Sequence, residues 1–280
     1  LAQNMHITTA KTVAHQTASD GVNKLLMRWP TGGETECVMI PTDKRRTACI
    51  SSQIGCPVRC TFCASGLGGL EGNLTAGQIV EQVWQLGTMK DAQRITHVVF
   101  MGMGEPLANF DQVTKAVRIL TAPWGLNISA RRITISTVGL PSQIKRLADM
   151  AIPVTLAISL HAPNDDLRKT LIPWADYTTI EQLMAAGRHY FNKTGREITL
   201  EYILLRNVND RPKHARQLAH IANSLRSNVN LIRYNEVKGL PYDRPATDDV
   251  HAFQKVLLDA GVNAHIRASC GRDIAAACGQ

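Results

Sequence analysis

The sequence has no apolar run approaching the roughly 20 residues that a bilayer-spanning helix needs, so a membrane partner is not expected. It has no signal-peptide pattern at its start, and it opens on Leu1 rather than Met, which reads as a piece trimmed from a longer protein. It has no low-complexity stretch: Gly 20 and Pro 12 in 280 residues exclude a collagen-like chain. Charged residues reach only 19% against 44% hydrophobic, which excludes intrinsic disorder, a state of low hydrophobicity and high charge. Cysteine does not come in an even number; seven thiols rule out a fully paired secreted framework. Acidic residues are the scarcer sign, 23 against 31 Lys plus Arg, for a net charge of +8. That excess favours an acidic partner, nucleic acid first and an anionic small molecule second, with a merely basic enzyme as the bland alternative.

Residues from about Val22 to Pro41 read as a hairpin: Lys24–Trp29 is strand-like, Pro30-Thr31-Gly32-Gly33 a turn, and Thr35–Ile40 the return strand. Residues 1–20 lack clear periodicity and read as an arm or linker. From Ala48 onward a unit recurs, a short β-rich run followed by an amphipathic helix. Strands are expected at Ala48–Ile54, His97–Met101, Ile133–Thr137, Val154–Leu160, Ile198–Leu204, Asn230–Tyr234 and Val262–Arg267. Helices are expected near 76–88, 110–120, 141–149, 179–192, 212–226 and 247–260. Thr75 with Gln78, and Thr178 with Glu181, carry capping-box signatures. Such alternation implies an α/β fold with a parallel sheet, because parallel strands need crossover connections. Six β/α units fall short of a closed eight-fold barrel, so a partial barrel or a doubly wound sheet fits. The division is then an N-terminal extension with the hairpin, residues 1–46, and a β/α body, residues 47–280. In either architecture ligands collect at the carboxyl ends of the strands.

The unusual residues cluster at those ends. Cys56, Cys60 and Cys63 crowd into one loop after the first strand of the body. Thiolates are soft ligands for iron–sulfur clusters, zinc or copper(I). A structural zinc site wants four ligands, usually as paired knuckles, and no second knuckle stands nearby. Zinc with a distant fourth ligand, or three unconnected thiols, are the alternatives. Met101-Gly102-Met103-Gly104-Glu105-Pro106 follows a hydrophobic strand but lacks the third glycine of a dinucleotide fingerprint. It puts the Glu105 carboxylate, suited to an ammonium group, among glycines that let backbone approach a ligand. Ser136, the run Ser159-Leu160-His161, and Asn235 stand at further strand tips. Each alone reads as a turn or cap; together they ring one site. The chain closes on Asp273-Ile274-Ala275-Ala276-Ala277-Cys278-Gly279-Gln280, small residues around one thiol.

The spacing Cys56-x-x-x-Cys60-x-x-Cys63, with Phe62 before the last cysteine, resembles the signature of the radical S-adenosylmethionine superfamily, and Gly104-Glu105 resembles its "GGE" segment. The segments Ala48–Cys56, Met103–Leu107, Ala157–Asp165 and the terminal Cys278-Gly279-Gln280 are similar to the RlmN/Cfr family of RNA adenosine methyltransferases, over about residues 20–280. The resemblance implies a partial (β/α)6 barrel. It implies a 4Fe–4S cluster on Cys56, Cys60 and Cys63, with S-adenosylmethionine bound by Gly104, Glu105, Ser136, Ser159, Leu160, His161 and Asn235. It implies methylation of adenosine C2 in 23S rRNA, with tRNA beside the anticodon as a further substrate. Adenine C2 is electrophilic, so in this family one cofactor molecule methylates the thiol matching Cys278. A radical made from a second then activates that methyl group to join the ring. Glu36 matches the proton acceptor, and Cys49 the thiol that releases product by forming a disulfide, ordinary exchange chemistry for juxtaposed cysteines. A reductant protein such as flavodoxin or ferredoxin, and a cytoplasmic location, follow.

Two departures stand out. The family's Arg-Gly before the terminal segment is replaced by Cys270-Gly271, which adds a thiol and removes a cation. The start is short of the small helical RNA-binding domain of full-length members. Cys37 reads as packing. Arg131, Arg132, Arg168, Lys169, Arg206, Arg211, Lys213 and Arg216 together suit an RNA presenting one unstacked base to the barrel mouth. The rivals are a C8-directed enzyme of the Cfr type, a non-catalytic RNA-binding protein with a structural metal, and a radical enzyme with a changed substrate.

Overall fold

A computed structural model of the chain describes residues 8–89 and 94–280. Of the stretch read as an arm, residues 1–7 lie outside the described residues, and the remainder contains an edge strand, β1 (Lys11–Thr17). It pairs antiparallel with β2 (Asn23–Arg28), which pairs with β3 (Glu34–Pro41), so the hairpin is part of a three-stranded meander. β1 escapes pattern reading because nearly all its side chains are exposed, leaving no apolar alternation; the backbone ladder to β2 makes it a strand. Next come β4 (Arg46–Cys49), β5 (Gln53–Gly55) and β6 (Leu70–Asn73). The single strand expected over Ala48–Ile54 is therefore two. β4 joins the main sheet, while β5 turns away to pair with β6 as a separate ribbon.

The body then runs α1 (Ala76–Gly87), β7 (His97–Phe100), α2 (Phe110–Thr121), β8 (Ile133–Thr137), α3 (Pro141–Asp149) and β9 (Thr155–Ser159). It continues with α4 (Asp165–Leu171), α5 (Ile180–Thr194), β10 (Ile198–Leu204), α6 (Pro212–Asn223), β11 (Ser227–Arg233), α7 (Thr247–Asp259) and β12 (Ala264–Arg267). α4 is a short helix that the sequence pattern does not separate from the loop after β9. The capping box at α1 forms as expected on Thr75 and Gln78. At α5 it sits one residue later, on Thr179 and Gln182, because Thr178 is buried against the preceding turn.

The main sheet has ten strands in the order β1-β2-β3-β4-β7-β8-β9-β10-β11-β12. From β4 onward every pairing is parallel. A doubly wound sheet reverses its strand order at a switch point. This one follows chain order throughout, the order of a partial (β/α)6 barrel. β10 is buried at every position, as a strand covered on both sides must be. One core cluster runs from Leu25, Met27 and Trp29 of the meander into the helices of the body, so both share a single apolar interior. A second cluster, with Val58, Phe62, Ile203 and Tyr234, lies under the cysteine loop. No described helix is long and apolar enough to cross a membrane.

Candidate active site

The carboxyl ends of the parallel strands open on one cavity of about 270 Å³. Its walls hold Glu36, Cys49, Cys56, Cys60, Cys63 and Cys278, together with Gly104, Glu105, Ser136, Ser159, His161 and Asn235. Leu160 is the exception among the sequence-predicted residues. Its side chain is fully buried in the main core, and only its backbone faces the loop, where its carbonyl accepts from Arg168 Nε at 3.1 Å. β9 ends at Ser159, and the chain turns at His161, φ +59°, so Ser159 and His161 line the cavity while the Leu160 side chain stays in the core.

The cysteine loop is fixed by its own backbone. Gly55 has φ +71°, and a Cβ there would fall 1.9 Å from the Gly69 carbonyl oxygen, so the residue before Cys56 must be glycine. Cys56 N–H donates to that carbonyl at 2.8 Å, and Thr61 N–H donates to the Leu171 carbonyl at 3.0 Å. Phe62 packs edge-on against the His161 ring, centroids 5.1 Å apart. Burial raises all three thiols above their ordinary value, and for Cys60 the nearness of Cys63 and Cys56 adds to the rise. A structural zinc site usually takes four ligands, and this loop offers three thiols; soft thiolates on separate irons suit a cluster that leaves one iron free for a further ligand.

Glu105 is buried, accepting from Val138 N–H at 2.8 Å and Leu107 N–H at 2.9 Å. Burial nevertheless pushes its carboxyl up to about 7, against the pull of those bonds. A carboxyl so placed gains most from an arriving cation such as an ammonium. Gly104 has φ +100°, and a Cβ there would meet Gln53 Cβ at 2.6 Å, so the Glu105 turn closes only with glycine. Ser136 and Ser159 share a hydroxyl–hydroxyl hydrogen bond of 3.1 Å across neighbouring strands. His161 stands at φ +59° with Nδ1 accepting from Ile203 N–H at 3.0 Å. Its proton therefore sits on Nε2, and burial keeps the ring neutral by lowering its pKa to about 3. These groups fit an amino-acid end at Glu105 and hydroxyl-bearing parts of a nucleoside along the strand tips.

The second half of the site comes from distant chain segments. Cys49 ends β4 opposite Val38 in the ladder. Cys278 reaches it from the chain end, where Asn235 Nδ2 donates to the Cys278 carbonyl at 3.1 Å and Ala64 N–H to that of Gly279 at 2.9 Å. Cys278 meets solvent through the cavity, although protein surrounds it. Burial pushes the Cys49 thiol up to about 12, with the Cys278 charge adding to it, and the Cys278 thiol up to about 11. Arg267 opposes both rises. Glu36, on β3, is paired with Lys24 at 3.1 Å. Cys37 is buried against Met27, its Sγ 3.5 Å from the Met27 sulfur.

Sequence reading misses the Arg267–Glu201 pair that floors this half of the cavity. Arg267 Nη1 lies 3.3 Å from Glu201 Oε2, and Asn230 Nδ2 donates to Glu201 Oε1 at 3.0 Å. The signal was a lone carboxylate inside the apolar run Ile198–Leu204. The basic residues also need correction. Arg168 is fully buried and donates to the Leu160, Val138 and Ser159 carbonyls, so it ties strand tips rather than facing RNA. Arg131 and Arg132 precede β8, at the end of the barrel opposite the mouth. Lys169, Arg206, Arg211, Lys213 and Arg216 are exposed on the mouth side, in α4 and in the stretch from the β10–α6 loop into α6.

A family model described as the radical SAM superfamily matches residues 50–219. A Rhodopirellula baltica protein named "Probable dual-specificity RNA methyltransferase RlmN" is 46% identical over 281 residues, covering 100% of this chain and 76% of the relative. A protein of the same name from Thermosynechococcus vestitus is 48% identical, covering 94% of this chain and 77% of its own length. The crystal structure of a radical SAM methyltransferase from Sphaerobacter thermophilus superposes with TM-score 0.95 at 42% identity, covering 100% of this chain and 83% of that one. Streptococcus suis SuiB bound to S-adenosylmethionine, 14% identical with TM-score 0.58 over 81% of this chain and 52% of SuiB, shares the fold.

Proposed function

Because the chain belongs to the radical SAM superfamily, and within it to the RlmN-type RNA methyltransferases, we propose that it methylates C2 of an adenosine in 23S rRNA, with tRNA beside the anticodon as a second substrate. The superfamily's cofactors are a 4Fe–4S cluster and S-adenosylmethionine. Together they supply one-electron cleavage of the cofactor and a methyl group. In this reading Cys56, Cys60 and Cys63 hold the cluster. Glu105, Ser136, Ser159, His161, Asn235 and the Gly104 backbone hold the cofactor against it.

The observation that carries the reading is that one cavity holds the loop trio and, apart from it, the Cys49–Cys278 pair, with Glu36 and Cys270 also in its lining. The trio accounts for a cluster but not for the pair. Cys278 carries the transferred carbon on its sulfur and presents it to the ring. Glu36 takes the ring proton. Cys49 attacks the Cys278 sulfur, the sulfur–carbon bond breaks as the disulfide forms, and the freed carbon takes a proton to become the methyl group of the base. Arg267, whose charge opposes the burial-driven rise of both thiols, favours the thiolate that makes that attack. We divide the chain into an N-terminal extension, residues 1–46, whose meander lines the thiol side with Glu36, Val38 and Ile40, and a body, residues 47–280, which supplies the thiols and the cofactor side. Exposed Lys169, Arg206, Arg211, Lys213 and Arg216 meet RNA phosphates, which makes binding salt-sensitive. A flavodoxin or ferredoxin supplies electrons, and the setting is the cytoplasm, where ribosomal RNA is available.

The test is mass spectrometry of digested rRNA after turnover with methyl-labelled cofactor. Label at adenine C2 supports the reading, label at C8 replaces it with the Cfr-type reaction, and unlabelled RNA beside cleaved cofactor removes rRNA as the substrate.

A further inference from the structure

Lys24 is buried to 9% exposure, rare for a lysine unless it is paired. On β2 it stands opposite Val38 of β3, which makes it the diagonal neighbour of Glu36 on the same face of the meander. Its Nζ lies 3.1 Å from Glu36 Oε1 and donates to the Ala275 carbonyl at 3.0 Å. Ala275 precedes Cys278 by three residues. One ammonium thus touches both the carboxylate assigned as the base and the segment that carries the reactive thiol.

Two neighbouring contacts grip the same segment. Ser19 N–H donates to Asp273 Oδ2 at 2.8 Å, and Asp20 Oδ2 accepts from Gly271 N–H at 2.9 Å. The apolar floor between them is Ala18, Val22 and Val38, against which Cys270, Ile274 and Ala276 pack. Glu36 is held from behind as well, its own carbonyl accepting from Ser51 Oγ at 2.7 Å. The other titratable or charged groups on or behind this wall are Cys37 of β3, Cys49 of β4, Arg267 of β12, and Cys270 and Cys278 of the chain end. Among the described residues Lys24 is the cation in ion-pair contact with Glu36.

We propose that Lys24 is a positioning residue of the reaction: it holds the Glu36 carboxylate at the cavity wall and ties that base to the Cys278 segment, so that base and thiol keep a fixed separation. An ammonium has three donors and no lone pair, so Lys24 cannot take the ring proton itself. What it supplies is a positive charge beside the anionic form of Glu36, the form that accepts a proton. This rests on the reading of Glu36 as the base.

The test uses the cluster-reconstituted chain and an rRNA fragment under single-turnover conditions over a range of RNA concentrations, with Lys24→Met, Lys24→Arg and Glu36→Gln beside wild type. Lys24→Met is expected to slow methyl transfer roughly tenfold, part of the roughly 10²–10⁴-fold that a general base contributes. The loss falls on the saturating rate and leaves the RNA concentration at half-saturation where it was. Lys24→Arg restores the rate. Hydrogen exchange of residues 271–280 is expected to rise in Lys24→Met and to return in Lys24→Arg, independently of turnover. If Lys24→Met does not fold, Lys24→Gln carries the same comparison. A rate and exchange pattern unchanged in Lys24→Met, with Glu36→Gln inactive, overturns the role of Lys24 alone. A slower Lys24→Met with weakened RNA binding and no rescue by arginine reduces Lys24 to scaffold and also overturns it. A Glu36→Gln that keeps the wild-type rate overturns the base itself, and the role of Lys24 with it.

Discussion

The cavity has two thiol regions built in opposite ways. Cys56, Cys60 and Cys63 sit in one loop closed by its own bonds, Cys63 N–H to the Cys60 carbonyl at 3.2 Å and Cys56 N–H to the Gly69 carbonyl at 2.8 Å, around a glycine turn, and the loop is further anchored to the body by Thr61 on Leu171 and Phe62 on His161. Cys49 and Cys278 come from opposite ends of the fold. Their approach depends on the β3–β4 ladder, on the Asn235 and Ala64 contacts to the chain end, and on the clamp from the meander. A loop closed by its own bonds keeps more of its geometry when distant contacts are lost than an assembled pair does. Cluster binding and methyl transfer are therefore separable by mutation.

The sharpest separation comes from single thiols. Cys278→Ala is expected to abolish label transfer to RNA while leaving iron and sulfide content at the wild-type level. Cys60→Ala is expected to lose the iron and, with it, cofactor cleavage. Chemical analysis and label counting on both variants read this directly, and a Cys278→Ala that still labels RNA breaks the comparison. Next in size is the floor beneath the pair. Arg267→Met leaves Glu201, 3% exposed, without its cation, and is expected to destabilise the fold by about 3 kcal/mol in chemical denaturation. Gly104→Ala comes third: it forces a side chain at φ +100° against Gln53, at a cost of about 1–3 kcal/mol, and is expected to weaken cofactor binding measured by calorimetry. The smallest effect is in pH. With thiols raised to about 11 at Cys278 and about 12 at Cys49, little thiolate exists at neutral pH. Alkylation of Cys278 by iodoacetamide is expected to climb from pH 8 toward about 11, with Cys49 lagging. A plateau near the ordinary thiol value would place the pair in water rather than in the cleft.

The same contrast governs what could be read from sequence. The cysteine loop, the Gly104-Glu105 turn and the strand tips Ser136, Ser159 and His161 are local patterns, and the recurring strand–helix unit carried them to one end of the sheet. At Leu160 the motif names a residue whose side chain is in the core, so only its backbone is at the strand tip. β1 carries no apolar alternation, so only the ladder to β2 defines it. Arg131 and Arg132 were misplaced because charge in a loop does not say which end of the barrel the loop lies on. Arg168 looked like a surface cation but is enclosed by three carbonyls. Lys24 and the Arg267–Glu201 pair are invisible along the chain, since their partners are distant residues joined by the fold.

The most direct measurement of the central claim is mass spectrometry of the peptide bearing Cys278, taken from protein incubated with methyl-labelled cofactor, before and after addition of the rRNA fragment. The account predicts a labelled methyl group on the Cys278 sulfur that leaves the peptide as labelled methyladenosine forms, with a Cys49–Cys278 disulfide remaining. Labelled RNA without label ever passing through Cys278 would contradict it.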